Sequence, residues 1–396
     1  DVVAVARHGT AVVLAPGARE RMDASRAVAL EIAARGDAVY GLTTSVGVRK
    51  RVRVDQVADS GFNLRLLRDH RIAQGGSVEP AAVRATMLLL ASVLRPRLVE
   101  RLLEALDAPA PPTLRELGST GQGDLAQLAD LALALFEDEP LEAKEGLALL
   151  SSNAYGTALA ALAADAAEVL LHGLVLGLAL DLEAFRGSVT TLHPAVLATR
   201  AHPGLHAVVA SLRRLLEGSA LWAPGAARNL QDPLSFRNGP EVLGAATQLG
   251  RYALDVVRAE LASSQENPLV LVDERRAISV ANFEPLALVQ ALDALRLALA
   301  PPVLLQMERF LKLLQAPLSG LGDGLAPPGR PDQIGLSELA FAVQALGAEA
   351  KLLAAPVSLE MGSSTQAEGI EDRISLLPLG GRRLAEQVDR GTRVLA

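Results

Sequence analysis

Five side chains stand in segments whose polar or glycine content a helical core does not need, and each could take part in chemistry. Tyr40 opens YGLTTSVG, residues 40–47, which sets a phenol beside a flexible, hydroxyl-lined loop. A phenol ionises near pH ~10, so a tyrosine base needs a neighbouring cation or hydrogen-bond donor to lower that value. His70, at the end of FNLRLLRDH, or an arginine could supply it. The plainer readings are a surface turn with a half-buried tyrosine and a histidine that hydrogen-bonds its own helix end. QDPLSFR, residues 231–237, brings the Gln231 amide and the Arg237 guanidinium into one proline-containing loop. That pairing suits bidentate recognition of a carboxylate, and equally an ordinary ion pair. Glu349 falls between Leu346 and Leu353 on an apolar stripe and is expected to face inward, where a carboxylate needs a partner or a raised pKa. Gly118, Gly121 and Gly123 precede an apolar helix in ELGSTGQGDLA and could form a nest of backbone N–H groups. It is no phosphate loop, because the Lys-Ser/Thr pair that should follow is absent.

The elements that must position these residues read as helices. Half of the 396 residues are apolar, yet there are only seven Phe, three Tyr and one Trp, so the core is Leu, Ala and Val. Such a composition favours helix over strand. The fold class expected is all-α: a bundle of long helices with a loop-rich N-terminal part and minor β. Leu288, Leu292, Leu295 and Leu299 share one helix face, which Pro301-Pro302 should interrupt. Leu339, Val343, Leu346 and Leu353 form a second stripe, closed by Pro356. Helical pattern also fills 20–35, 81–106, 142–165, 158–183, 206–218 and 241–263. Strands are expected at 11–14 and in a small hairpin of 270–273 with 277–280. Glycine and proline mark loops at 108–123, 223–239 and 319–332. A boundary near residue 185 would divide the chain into 1–185, with Tyr40 and His70, and 186–396, with Arg237 and Glu349, within one continuous fold.

Charge and cysteine content narrow the function classes. With 38 Lys and Arg against 45 Asp and Glu, the net charge is −7, and the attraction a nucleic acid requires is missing. No cysteine means no disulfide framework, thiolate metal site or cysteine nucleophile. The longest apolar run, 169–180, contains His172 between Glu168 and Asp181 and is too short to span a bilayer. The first residues lack the pattern of a secretory signal, so a cytoplasmic location is expected.

The order and spacing of these pieces resemble the aromatic amino acid ammonia-lyase family, closest to histidine ammonia-lyase. The resemblance covers nearly the whole chain. It is carried by VARHGTAVVLAPGARERMDASRA, YGLTTSVG, FNLRLLRDH, GSTGQGDLAQLA, KEGLALL, LEAFRGS with AHPG, NLQDPLSFR with GPEVLG, SQENPLVL with VANF, and GAEAKLLAAP with IEDRISL. It implies a homotetramer whose sites each draw loops from three chains. It also implies a methylidene-imidazolone electrophile, made when an Ala-Ser-Gly tripeptide cyclises and loses two waters, which captures the substrate amine. Mapped by motif, Tyr40 resembles the family's base, His70 the neighbouring histidine, Arg237 the carboxylate clamp, Gln231 its companion and Glu349 the carboxylate near the amine. Asn282 and Phe283 match the Asn-Phe that supports the electrophile.

Three positions depart from the family. Gly121-Gln122-Gly123 stands where the family has Ala-Ser-Gly, and glutamine has no β-hydroxyl to eliminate. Leu234 replaces a second tyrosine, and an ungapped match puts Ser151 where the family has the asparagine beside the electrophile. A different alignment would use Ser119-Thr120-Gly121 to make an ethylidene analogue. Coupled losses imply changed chemistry, because residues that act as a unit lose their use together. The expectation is an enzyme without the prosthetic group, using Tyr40 and His70 in acid–base elimination, addition, isomerisation or cyclisation. Its substrate would be amino-acid-derived or a specialised metabolite with its own activating group. No cofactor and no metal is expected, and the expected partners are a small-molecule substrate and further copies of the chain, not nucleic acid or membrane. The alternatives are a conventional ammonia-lyase and a catalytically silent binding or structural homologue.

Overall fold

A computed structural model describes residues 1–56, 58–91, 94–330, 332–359 and 366–396. Helices dominate, and the chain divides into two compact units, each made of separate stretches: 1–162, 257–289 and 357–381 in one, 163–256, 290–356 and 382–396 in the other. A single cut near residue 185 is therefore not the observed division. The reason is the helix Ala154–Phe185, which begins in one unit and ends in the other, as the chain does again within Leu286–Leu313.

The first unit holds the helices Val2–His8, Ala18–Arg35, Phe62–Asp69, Pro80–Ala91, Pro96–Asp107, Leu125–Phe136 and Glu145–Leu150. Its core gathers Leu67, Met87, Leu90, Leu102, Leu128 and Leu149, none more than 1% exposed. Each such leucine contributes roughly 1.5–3 kcal/mol by leaving water, which is how an aromatic-poor sequence holds these helices together. Gln74–Ser77 pairs antiparallel with Arg115–Leu117, a small sheet that no alternation in the sequence announces. The expected hairpin forms as Leu269–Leu271 with Arg276–Ile278, Val270 opposite Ala277. The strand expected at 11–14 does not form; those residues have no regular structure.

In the second unit the stripe of Leu292, Leu295 and Leu299 is buried as expected, but the helix does not stop at the prolines. Leu286–Leu313 runs through Pro301 and Pro302, because Leu299 and Val303 on either side are fully buried. Packing there outweighs the roughly 3 kcal/mol a proline costs inside a helix. The same helix carries a buried polar cluster. Arg309, 1% exposed, donates through Nε to Asp181 at 2.7 Å, and through Nη2 to Gln306 at 2.6 Å. Burial pushes the Asp181 carboxyl up and the Arg309 guanidinium down, and their mutual attraction pulls both back. The segments Glu145–Phe185 and Leu286–Leu313 are long and apolar enough to cross a membrane, though 56% and 61% of their most apolar windows is buried within the protein.

Candidate functional site

The glycine-rich loop lies in the first unit and is hydrogen-bonded on every side. Gly121 and Gly123 hold φ of 96° and 92°, a region that side chains other than glycine seldom enter. Gly123 N–H donates to Asn153 Oδ1 at 2.7 Å, and Asn153 Nδ2 donates to the Phe283 carbonyl at 2.6 Å. Gln265 Oε1 accepts from Asn153 N–H at 3.1 Å. Gln122 is held at both ends of its amide: Nε2 donates to Glu284 at 3.0 Å, and Oε1 accepts from Ser375 N–H at 2.8 Å. Behind the loop Asp124 is fully buried and caps the next helix. Burial pushes its carboxyl up to about 6, against the Gly156 N–H and the Ser119 hydroxyl, which donate to it at 2.7 and 2.6 Å.

These residues do not fit the family's electrophile. Gln122 has nothing to eliminate, and a β-carbon at position 121 would collide with Ser375 Oγ while standing 2.8 and 3.0 Å from the backbone nitrogens of Leu377 and Leu376. In the shifted tripeptide, Gly121 N–H donates to Ser119 Oγ at 3.1 Å, and the Thr120 carbonyl accepts from Leu376 N–H at 2.8 Å.

Tyr40 is half-buried at the edge of the apolar core, and Gly47 N–H donates to its hydroxyl oxygen at 3.0 Å. Burial raises its pKa most, the Gly47 N–H lowers it, and the negative charge of Glu371 raises it further. The expectation that His70 or an arginine lowers the value is not met among the described residues. His70 Nδ1 instead faces the Leu66 carbonyl at 2.8 Å and so carries the proton, which fixes the imidazole on its own helix end.

The expectation for Glu349 needs correction, and Ser151 is not the residue that meets the loop. Ser151 Oγ donates to the Asn267 carbonyl at 3.4 Å, and it is Asn153, two residues on, that holds the loop. The helix Glu145–Leu150 ends before Ser151, and the next begins at Ala154, so Ser151 and Asn153 both lie in the short break between them. Glu349 does not face inward: its side chain is 57% exposed and pairs with Arg390 at 2.6 Å. The stripe beside it is only partly covered: Leu339 is 49% exposed, and Val343, Leu346 and Leu353 are half-buried. A carboxylate outside the sequence candidates, Glu371 of IEDRISL, is the one whose negative charge raises the Tyr40 pKa. Asn282 is half-buried directly before Phe283.

In the second unit, Arg237 Nη1 donates to Gln231 Oε1 at 2.5 Å, and both side chains are exposed. Their loop is nonetheless firmly built. Asp232 Oδ2 accepts from Ser188 N–H at 2.5 Å, Phe236 stacks on Phe185 with centroids 4.2 Å apart, and Arg309 Nη1 donates to the Ser235 carbonyl at 3.2 Å. The loop also leaves Leu230 wholly exposed and Leu234 59% exposed. Among the described residues no group of His, Asp and Glu side chains is arranged to hold a metal.

This constellation of helices and loops defines a lyase of the aromatic amino acid type. The chain belongs to the aromatic amino acid lyase family, whose model matches residues 1–140 and 136–396. A histidine ammonia-lyase of Deinococcus radiodurans is 33% identical over 428 positions, spanning 100% of this chain and 81% of the relative. Among solved structures, the ergothioneine-degrading enzyme ergothionase of Treponema denticola superposes with a TM-score of 0.92 at 27% identity, covering 100% of this chain and 85% of that one. Histidine ammonia-lyase of Trypanosoma cruzi gives 0.89 at 25%, covering 100% and 80%.

Proposed function

We propose that the chain is an eliminating enzyme of this family that works by acid–base chemistry without methylidene-imidazolone, on an amino-acid-derived substrate whose nitrogen is already a good leaving group. The observation that carries the reading is Gln122, which lacks a hydroxyl and has both ends of its amide engaged. Tyr40, as phenolate, takes a proton from the β-carbon; that C–H pair forms the Cα–Cβ double bond; the Cα–N bond breaks and its electrons leave with nitrogen. A primary ammonium has acidic N–H protons that a base removes first, whereas a quaternary ammonium has none and departs as a neutral amine. Ergothioneine, the compound degraded by the Treponema relative, is such a betaine. A cationic substrate also suits a site in which Glu371 stands near Tyr40, since its charge lowers the phenol's pKa as it binds. In the second unit Arg237, with Gln231 beside it, offers a planar guanidinium fork that matches the two oxygens of a carboxylate.

Purified protein is expected to show the encoded mass, with no loss of water across 119–123. Given ergothioneine it should release trimethylamine, and given histidine it should release no ammonia. A deficit of two waters mapped to Ser119–Gly121, or efficient deamination of histidine, removes this reading in favour of a conventional ammonia-lyase.

We further propose that the site is shared between copies of the chain in a homotetramer. The support is a set of large apolar side chains left open in the second unit: Val169, Leu180, Leu230, Phe341 and Leu352 are all more than 60% exposed. Light scattering at micromolar concentration should give four subunits, and a stable monomer would overturn the arrangement.

A further inference from the structure

Residues 366–376 are fastened at both ends. At one end Lys50 Nζ donates to Glu368 Oε2 at 2.8 Å and to the Ala367 carbonyl at 3.2 Å, which ties the segment to the chain just beyond the Tyr40 loop. At the other, Ser375 N–H donates to Gln122 Oε1 and Leu376 N–H to the Thr120 carbonyl, both at 2.8 Å. Gln122 Nε2 reaches Glu284 at 3.0 Å, and Glu284 pairs in turn with Arg373 of the same segment. Glu371 lies between the two fastenings.

We infer that Gln122 is a positioning residue, whose amide fastens residues 366–376 over the glycine loop and thereby sets where Glu371 stands relative to Tyr40. The side chain is selective for this task. It needs an acceptor for the Ser375 N–H and a donor for the Glu284 carboxylate, which only a primary amide of this length combines. The carboxylate makes the second bond charge-assisted, and so stronger than a neutral one. A serine in its place would lack the length to reach both partners. Glutamate would set two carboxylates against each other. The catalytic consequence rests on the proton transfer proposed for Tyr40, but the fastening itself can be read without any substrate.

The test uses the full chain with two variants. In Gln122→Met, of similar length but without polar atoms, amide exchange at Ser375 and Leu376 is expected to quicken about tenfold or more as both side-chain bonds are lost. Tyr40 ionisation, isolated as the ultraviolet difference from a Tyr40→Phe counterpart, should move to lower pH as Glu371 is released. In the exchanged pair Gln122→Glu with Glu284→Gln, acceptor and donor are both present again, and exchange should return to within about threefold of the parent. Unchanged exchange in Gln122→Met overturns the inference, as does failure of the exchanged pair to recover. Faster exchange with an unmoved tyrosine titration also overturns it, since that outcome describes a strut with no bearing on Tyr40. Neither readout involves turnover, so failure here is separate from failure of the proposed elimination.

Discussion

Replacing Tyr40 with phenylalanine is expected to lower turnover by roughly 10² to 10⁴, the loss typical of a removed general base. The fold should survive, because the hydroxyl's hydrogen bond to the Gly47 N–H is worth only about 0.5–1.5 kcal/mol. The pH profile carries a further sign. In the free protein burial and Glu371 hold Tyr40 above the usual phenol range, so kcat/KM should rise with pH into the alkaline region. A bound cation lowers the phenol's pKa, so the rising limb of kcat should lie at lower pH than that of kcat/KM. Steady-state release of trimethylamine from ergothioneine, followed across pH, checks both statements. Turnover in Tyr40→Phe equal to the parent's would take Tyr40 out of the mechanism, and coincident limbs would remove the cation's role.

The second large effect concerns the buried cluster of the second unit. Arg309→Met should cost about 3–5 kcal/mol of unfolding free energy, because Asp181 is left inside without its cation. It should also loosen the loop bearing Gln231 and Arg237, which loses the bond to the Ser235 carbonyl. Arg309→Met with Asp181→Leu should recover most of the stability, since a buried ion pair is often replaceable by apolar side chains of similar volume. The loop, however, should stay loose. Urea unfolding of the three proteins reads the first effect, and hydrogen exchange at 231–237 the second. A single variant as stable as the parent would show that the pair contributes nothing.

Much of the architecture was legible because leucine spacing is a direct record of which helix face is buried. The stripe through Leu292, Leu295 and Leu299 is readable in this way, and the hairpin pairing Val270 with Ala277 is readable from short alternating segments about a turn. Where the sequence misled, a tertiary contact had overridden a local rule. Pro301-Pro302 reads as a stop, but the buried residues on either side hold the helix through it. In the site, motif order located Tyr40 and the glycine loop. It could not show that Asn153 rather than Ser151 meets the loop, or that Glu349 turns to Arg390, because both depend on where a short helix ends and which way a face turns.

Gly121 decides what the loop admits as well as its shape. An alanine there is blocked by Ser375 and by the backbone of Leu376 and Leu377, so the first residue of an Ala-Ser-Gly tripeptide does not fit while those neighbours stay in place. A serine placed at 122 alone would give up the bonds to Glu284 and Ser375 without gaining a competent ring. Building Ala-Ser-Gly at 121–123 therefore calls for changes in two distant stretches of chain, the loop itself and residues 375–377. The segment that crosses the loop thus acts as a steric lock: it admits glycine at 121 and excludes any residue that carries a β-carbon.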